Sequence, residues 1–173
     1  MGYKPTSSNN NGELVIPQIE TQNLNLIDAE GNVFNFSTGK WYLVHFDDFQ
    51  NKTFSLDRYK LATSLKITLP RESHRLRRVV VYKDKELFAN ALELKEQFPQ
   101  IIFLYDKDNM FENRISSQLN NPYFSKSMFL IDSFSNVMEE FNVSLTFSEI
   151  FEDLKVLLCC LLYTSPSPRD VCS

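Results

Sequence analysis

The chain has 173 residues, which suits one compact domain with a sizeable core. Its 18 basic and 22 acidic residues leave a net charge of −4, which disfavours a general nucleic-acid-binding role. No apolar run reaches membrane-spanning length, no secretory signal pattern opens the chain, and no internal repeat is visible.

Residues Thr6-Ser-Ser-Asn-Asn-Asn-Gly12 have linker composition. Glu13-Leu-Val-Ile-Pro17 reads as a short extended piece stopped by proline. Leu24 to Phe36 alternates weakly around Asp28-Ala-Glu-Gly31, whose turn chemistry predicts a β-hairpin. Trp41-Tyr-Leu-Val-His-Phe46 is nearly all apolar and rich in strand formers, so it reads as a buried central strand. Thr53 to Leu69 repeats apolar residues at helical spacing, with Thr53 or Ser55 as cap and Pro70 as stop. Arg78 to Tyr82 is a second strand, Glu86 to Phe98 a helix closed by Pro99, and Ile101 to Tyr105 a third strand. Met110 to Leu119 is a short helix. Ser127 to Asp132 and Val137 to Phe141 form a closing hairpin, and Phe147 to Leu158 is a last amphipathic helix. Strands separated by helices imply parallel βαβ pairing, and the hairpin makes the sheet mixed. The expected architecture is therefore α/β and thioredoxin-like: a mixed central sheet flanked by helices, with an N-terminal β-hairpin.

The last residues stand apart. Cys160-Leu-Leu-Tyr-Thr-Ser-Pro-Ser-Pro-Arg-Asp170 resembles the translation of a transposon mosaic-end adapter used in sequencing libraries. Such a segment is left out of fold reasoning. The expected organisation is then a linker at 1–19, a domain at 20–158 and an adapter-derived tail at 159–173. The three cysteines, Cys159, Cys160 and Cys172, all fall at or beyond the junction. Residues 1–158 thus offer no disulfide, no thiolate nucleophile and no cysteine metal ligand.

Four segments are similar to bacterial Sco/SenC-type proteins, and more so to their divergent, membrane-anchored gammaproteobacterial relatives. They are Tyr3-Lys-Pro-Thr with Asn10-Asn-Gly-Glu-Leu-Val-Ile-Pro17, Gly39 to Phe46, Arg58-Tyr-Lys-Leu through the arginine-rich stretch to Val79, and Phe129-Leu-Ile-Asp through Leu158. The resemblance implies a role in copper insertion into cytochrome c oxidase. A working member carries Cys-x-x-x-Cys after the first central strand plus a distant His, a donor set that suits copper and allows dithiol–disulfide cycling. Aligned on Arg58-Tyr59-Lys60-Leu61, the cysteine positions fall near Gln50 and Phe54, and the His segment becomes Asn120 to Lys126, which has no His. Gln50 and Phe54 are then expected to lie close together at the loop-to-helix junction after the strand, four residues or about one helical turn apart, with Asn120 to Lys126 approaching them.

The expectation is a degenerate, non-catalytic accessory module of oxidase assembly with no cofactor and no catalytic or metal residue. Its partners would be respiratory oxidase subunits or assembly factors, not nucleic acid. An anchor absent from this sequence would hold it on the periplasmic face of the inner membrane. The alternative is an active copper chaperone or thiol-disulfide oxidoreductase. Candidate contact residues are Phe49, beside the aligned site, and Arg71 and Arg75 in a basic cluster that also reads as an ordinary turn after a helix. Asp47 and Asp48 read as a solvated loop, and His45 as a satisfied core histidine.

Overall fold

A computed structural model describes residues 10–70 and 74–162, with side chains described to Leu158. In chain order the elements are β1 (Glu13–Glu20), β2 (Leu26–Ile27), β3 (Val33–Phe34), β4 (Trp41–Phe46), α1 (Lys52–Thr68), β5 (Leu76–Tyr82), α2 (Lys85–Ala89), α3 (Leu92–Gln97), β6 (Ile102–Asp106), α4 (Met110–Ser116), α5 (Pro122–Ser125), β7 (Met128–Ile131), β8 (Asn136–Phe141) and α6 (Phe147–Leu162). They form one eight-stranded mixed sheet in the order β1-β8-β7-β4-β5-β6-β2-β3. β4, β5 and β6 run parallel, while β7 is antiparallel to β4.

The sheet is covered on both faces, as an apolar central strand requires. Every residue of β4 is buried. On one face Tyr42, Val44 and Phe46 join Val79, Val81, Leu104 and Phe129 beneath Phe111 and Ile115 of α4. On the other, Trp41, Leu43, Met128 and Leu130 meet Ala62 and Leu65 of α1 and Ile150, Leu154 and Leu158 of α6. A third cluster, which includes Tyr59, Val80, Leu94 and Phe103, seats α3 against α1 and the sheet.

The hairpin expected over Leu24 to Phe36 is present as β2–β3, and it adds to the free edge of β6. Asp28 shapes its turn: Oδ1 accepts from the backbone N–H of Glu30 and of Asn32, both at 2.9 Å.

Several boundaries differ from the sequence reading. Residues 13–19, expected as linker, belong to β1, which pairs with β8. Pro17 does not stop that strand, because an edge strand needs hydrogen bonds on one side only. The helix expected over Glu86 to Phe98 is two, since Ala91 turns away from helical geometry (φ −109°, ψ 14°) and buries itself in the core. The first helix is capped by Asn51 rather than Thr53 or Ser55, with Asn51 Oδ1 accepting from the Phe54 N–H at 3.0 Å. The helix of α6 runs on past residue 158, and the rest of the expected tail lies outside the described residues. Among the described residues, no helix is long and apolar enough to cross a membrane.

Candidate functional site

Open α/β sheets place their sites beyond the carboxyl ends of the parallel strands. Here that end carries the loop 47–51, the starts of α1 and α4, and the segment running through α5 to β7. The loop is knitted by its own carboxylates. Asp47 accepts from the Phe49 N–H (2.8 Å) and from the Tyr59 hydroxyl (2.7 Å). Asp48 accepts from the Gln50 N–H at 3.1 Å. Asp47 is buried, so the expectation of a solvated acidic loop fails at this position. Burial first, then the Asp47 carboxylate, hold the Tyr59 phenol well above its ordinary pKa.

The opposite wall is fixed by a second polar set. Asp106, at the end of β6, accepts from the backbone N–H of Phe111 (3.2 Å) and Glu112 (2.9 Å), which starts α4. Glu112 then takes the Lys83 ammonium (2.9 Å) and the Asn121 side-chain amide (2.8 Å). Asn121 caps α5 by accepting from the Tyr123 N–H at 2.9 Å. This chain of contacts sets where Lys126 emerges, and Lys126 reaches back across the strand ends. Its Nζ lies 3.7 Å from Asp48 Oδ2 and 5.7 Å from the centroid of the Phe54 ring.

Gln50 is exposed, and Phe54 is half-buried at the start of α1. The Phe54 ring also stands 6.1 Å from the His45 ring and 5.7 Å from the Arg58 guanidinium carbon. It is thus flanked by two cations, Arg58 and Lys126. Sequence reasoning gave neither side chain a role at the site. Arg58 left a signal, because it falls on the buried stripe of α1 with Ser55, Ala62 and Leu65. Lys126 ends the segment expected to approach Phe54, and it does so.

His45 departs from expectation. It is buried, but neither ring nitrogen has a hydrogen-bond partner among the described residues. Burial pushes its pKa down to about 4, with Asp47 opposing and Arg58 and Lys126 reinforcing. The imidazole is therefore neutral at physiological pH.

Phe49 is not a contact residue. It is only 6% exposed and packs against Tyr82 and Phe88, each at 5.8 Å between ring centroids. Arg71 lies outside the described residues, and Arg75 is half-buried in a short helical turn before β5. Arg77 and Arg78 belong to β5 itself, where Arg78 donates to the Thr63 hydroxyl at 2.8 Å. The basic cluster is therefore part turn and part strand. Among the described residues, no three His, Cys, Asp or Glu side chains are grouped to hold a metal ion.

The sequence matches no protein-family model and no curated protein. Solved structures do match. Yeast Sco1 with copper bound superposes with a TM-score of 0.61 at 15% identity, over 91% of this chain and 97% of that one. BsSco, a member of the Sco family of cytochrome c oxidase assembly proteins with a disulfide switch, gives 0.59 at 13% identity over 82% and 95%. The thioredoxin domain of a thiol-disulfide oxidoreductase from Bacteroides vulgatus gives 0.55 at 16% identity over 85% and 96%. The fold is thus thioredoxin-like, of the kind these Sco proteins adopt.

Proposed function

We propose that this chain is a non-catalytic Sco-type module of cytochrome c oxidase assembly that no longer carries copper. The observation behind this reading is the placement of Lys126. Its ammonium sits between the Asp48 carboxylate and the Phe54 ring, at the corner where the sequence resemblance puts the copper ligands. A fixed cation there opposes a second one by simple repulsion. The donor set fits poorly too. Gln50 offers a neutral amide and Phe54 a hydrocarbon ring, whereas Cu(I) favours thiolate and thioether ligands. The same lack of cysteine in residues 1–158 removes dithiol–disulfide exchange from the domain.

A module without metal or thiol chemistry acts by contact. On this reading its partners are respiratory oxidase subunits or assembly factors. It works at the periplasmic face of the inner membrane, held there by an anchor outside this sequence. Cu(I) titration against a competing chelator tests the reading. The expected result is no stoichiometric, tight binding by residues 1–158. Tight one-to-one binding would overturn it in favour of an active chaperone.

A further inference from the structure

Arg58 is 7% exposed, yet its Nε and Nη2 have no hydrogen-bond partner among the described residues. These two nitrogens form one edge of the planar guanidinium, with their N–H bonds side by side. That edge is the one that grips both oxygens of a carboxylate. His45 is the second unpartnered group in this region. It is buried on the neighbouring strand, neither of its nitrogens is bonded, and the Phe54 ring is close to both residues. Leaving such donors unmet inside a protein is costly. The nearby acids do not meet them. Asp47 is engaged by Phe49 and Tyr59, and Asp48 by Gln50 and Lys126.

The geometry points to a binding site for a small planar carboxylate. Nε and Nη2 of Arg58 hold it side-on, the N–H of neutral His45 adds a third hydrogen bond, and the Phe54 ring covers it. Lys126, whose side chain is 34% exposed, stands 5.7 Å from the centroid of the same ring and favours an anion's approach. The donors themselves are closed to solvent. The ligand is accordingly only a few atoms in size and enters as the half-buried Phe54 side chain turns aside. The site does not depend on the oxidase-assembly reading, and it uses neither a metal nor a thiol.

The test is an NMR titration of the whole chain with sodium formate and, separately, sodium acetate, against sodium chloride at equal ionic strength. The expected result is saturable shifts of the His45 ring and the Arg58 Nε–H with formate or acetate only. The bound anion should raise the His45 pKa by about one unit, since an opposite charge favours the imidazolium. Arg58→Lys keeps the charge but loses the fork, and should weaken binding about tenfold or more. Arg58→Met should abolish it. Equal effects of chloride, shifts that never saturate, or undiminished binding by Arg58→Met would overturn the proposal and leave buried water as the partner of these donors. Should Arg58→Met fail to fold by circular dichroism, the wild-type salt comparison and Arg58→Lys decide the matter.

Discussion

Glu139 on β8 is fully buried, and among the described residues neither of its oxygens has a partner at ordinary hydrogen-bond geometry. It meets Asp153 of α6, itself buried, and the Gly12 backbone, whose opposing effect is the smaller. Asp153 already accepts from the backbone N–H groups of Asn11 (2.9 Å) and Gly12 (2.8 Å). Burial, then the contact with Asp153, push the Glu139 pKa up to about 9. At neutral pH Glu139 is therefore the protonated acid, and it donates to the Asp153 carboxylate. Unfolded, it titrates near the usual ~4.3. Between those two values the native state holds a proton that the unfolded chain has released, so stability falls as pH rises through that window. Glu139→Gln keeps the donor and the shape but cannot ionise. Chemical denaturation should show it gaining stability over wild type between pH 5 and pH 8.5, by on the order of 1–3 kcal/mol. Parallel pH profiles for the two proteins would refute the shared proton. His45 acts with the opposite sign. Its native pKa of about 4 lies below the unfolded value of 6.5, so the stability of the neutral imidazole is complete above pH 6.5 and lost as pH falls towards 4. His45→Phe should flatten that acid limb in the same denaturation series.

Helix α1 shows how local chemistry and long-range packing divide the work. Asn51 caps its first turn, and Pro70 follows its end. Asn51→Ala should destabilise the protein by about 1 kcal/mol, read as a lower denaturation midpoint with an unchanged slope. A loss below about 0.3 kcal/mol would mean that the tertiary contacts of the helix make the cap redundant. The buried stripe of α1 was legible as a 3.6-residue repeat, because apolar residues at that spacing can form only one face. The division of α2 from α3 was not. The apolar spacing of Leu87, Ala91 and Leu94 suits one continuous helix, and only the demand of the core at Ala91 breaks it. The strand β5 begins two residues before the Arg78 expected, for a related reason. Leu76 and Arg77 look like part of the arginine-rich turn in sequence, yet hydrogen bonding between strands enlists their backbone whatever the side chains carry.

Across the whole molecule, α6 binds the C-terminal part of the chain to its centre. Ile150, Leu154 and Leu158 enter the same cluster as Trp41 and Leu43 of the central strand, while Val156 stays 58% exposed. Leu154→Ala should cost about 2–5 kcal/mol by leaving a cavity in that cluster. Val156→Ala should stay within about 0.5 kcal/mol. Matched thermal melts of the two variants check the pair, and comparable losses would show that α6 does not pack as described. The sequence by itself determined the kinds of element, nearly all of their order, the α/β class and the lack of cysteine in residues 1–158. Those features are written in short-range periods, caps and prolines, or in composition alone. Only the tertiary structure decided that Asp47 and Arg58 are buried, that the core histidine His45 has no partner among the described residues, that Phe49 is core, and that Lys126 is the residue lying over Phe54. Each of those outcomes depends on which distant segment closes over a side chain, and a charged residue reads the same in sequence whether water or protein surrounds it.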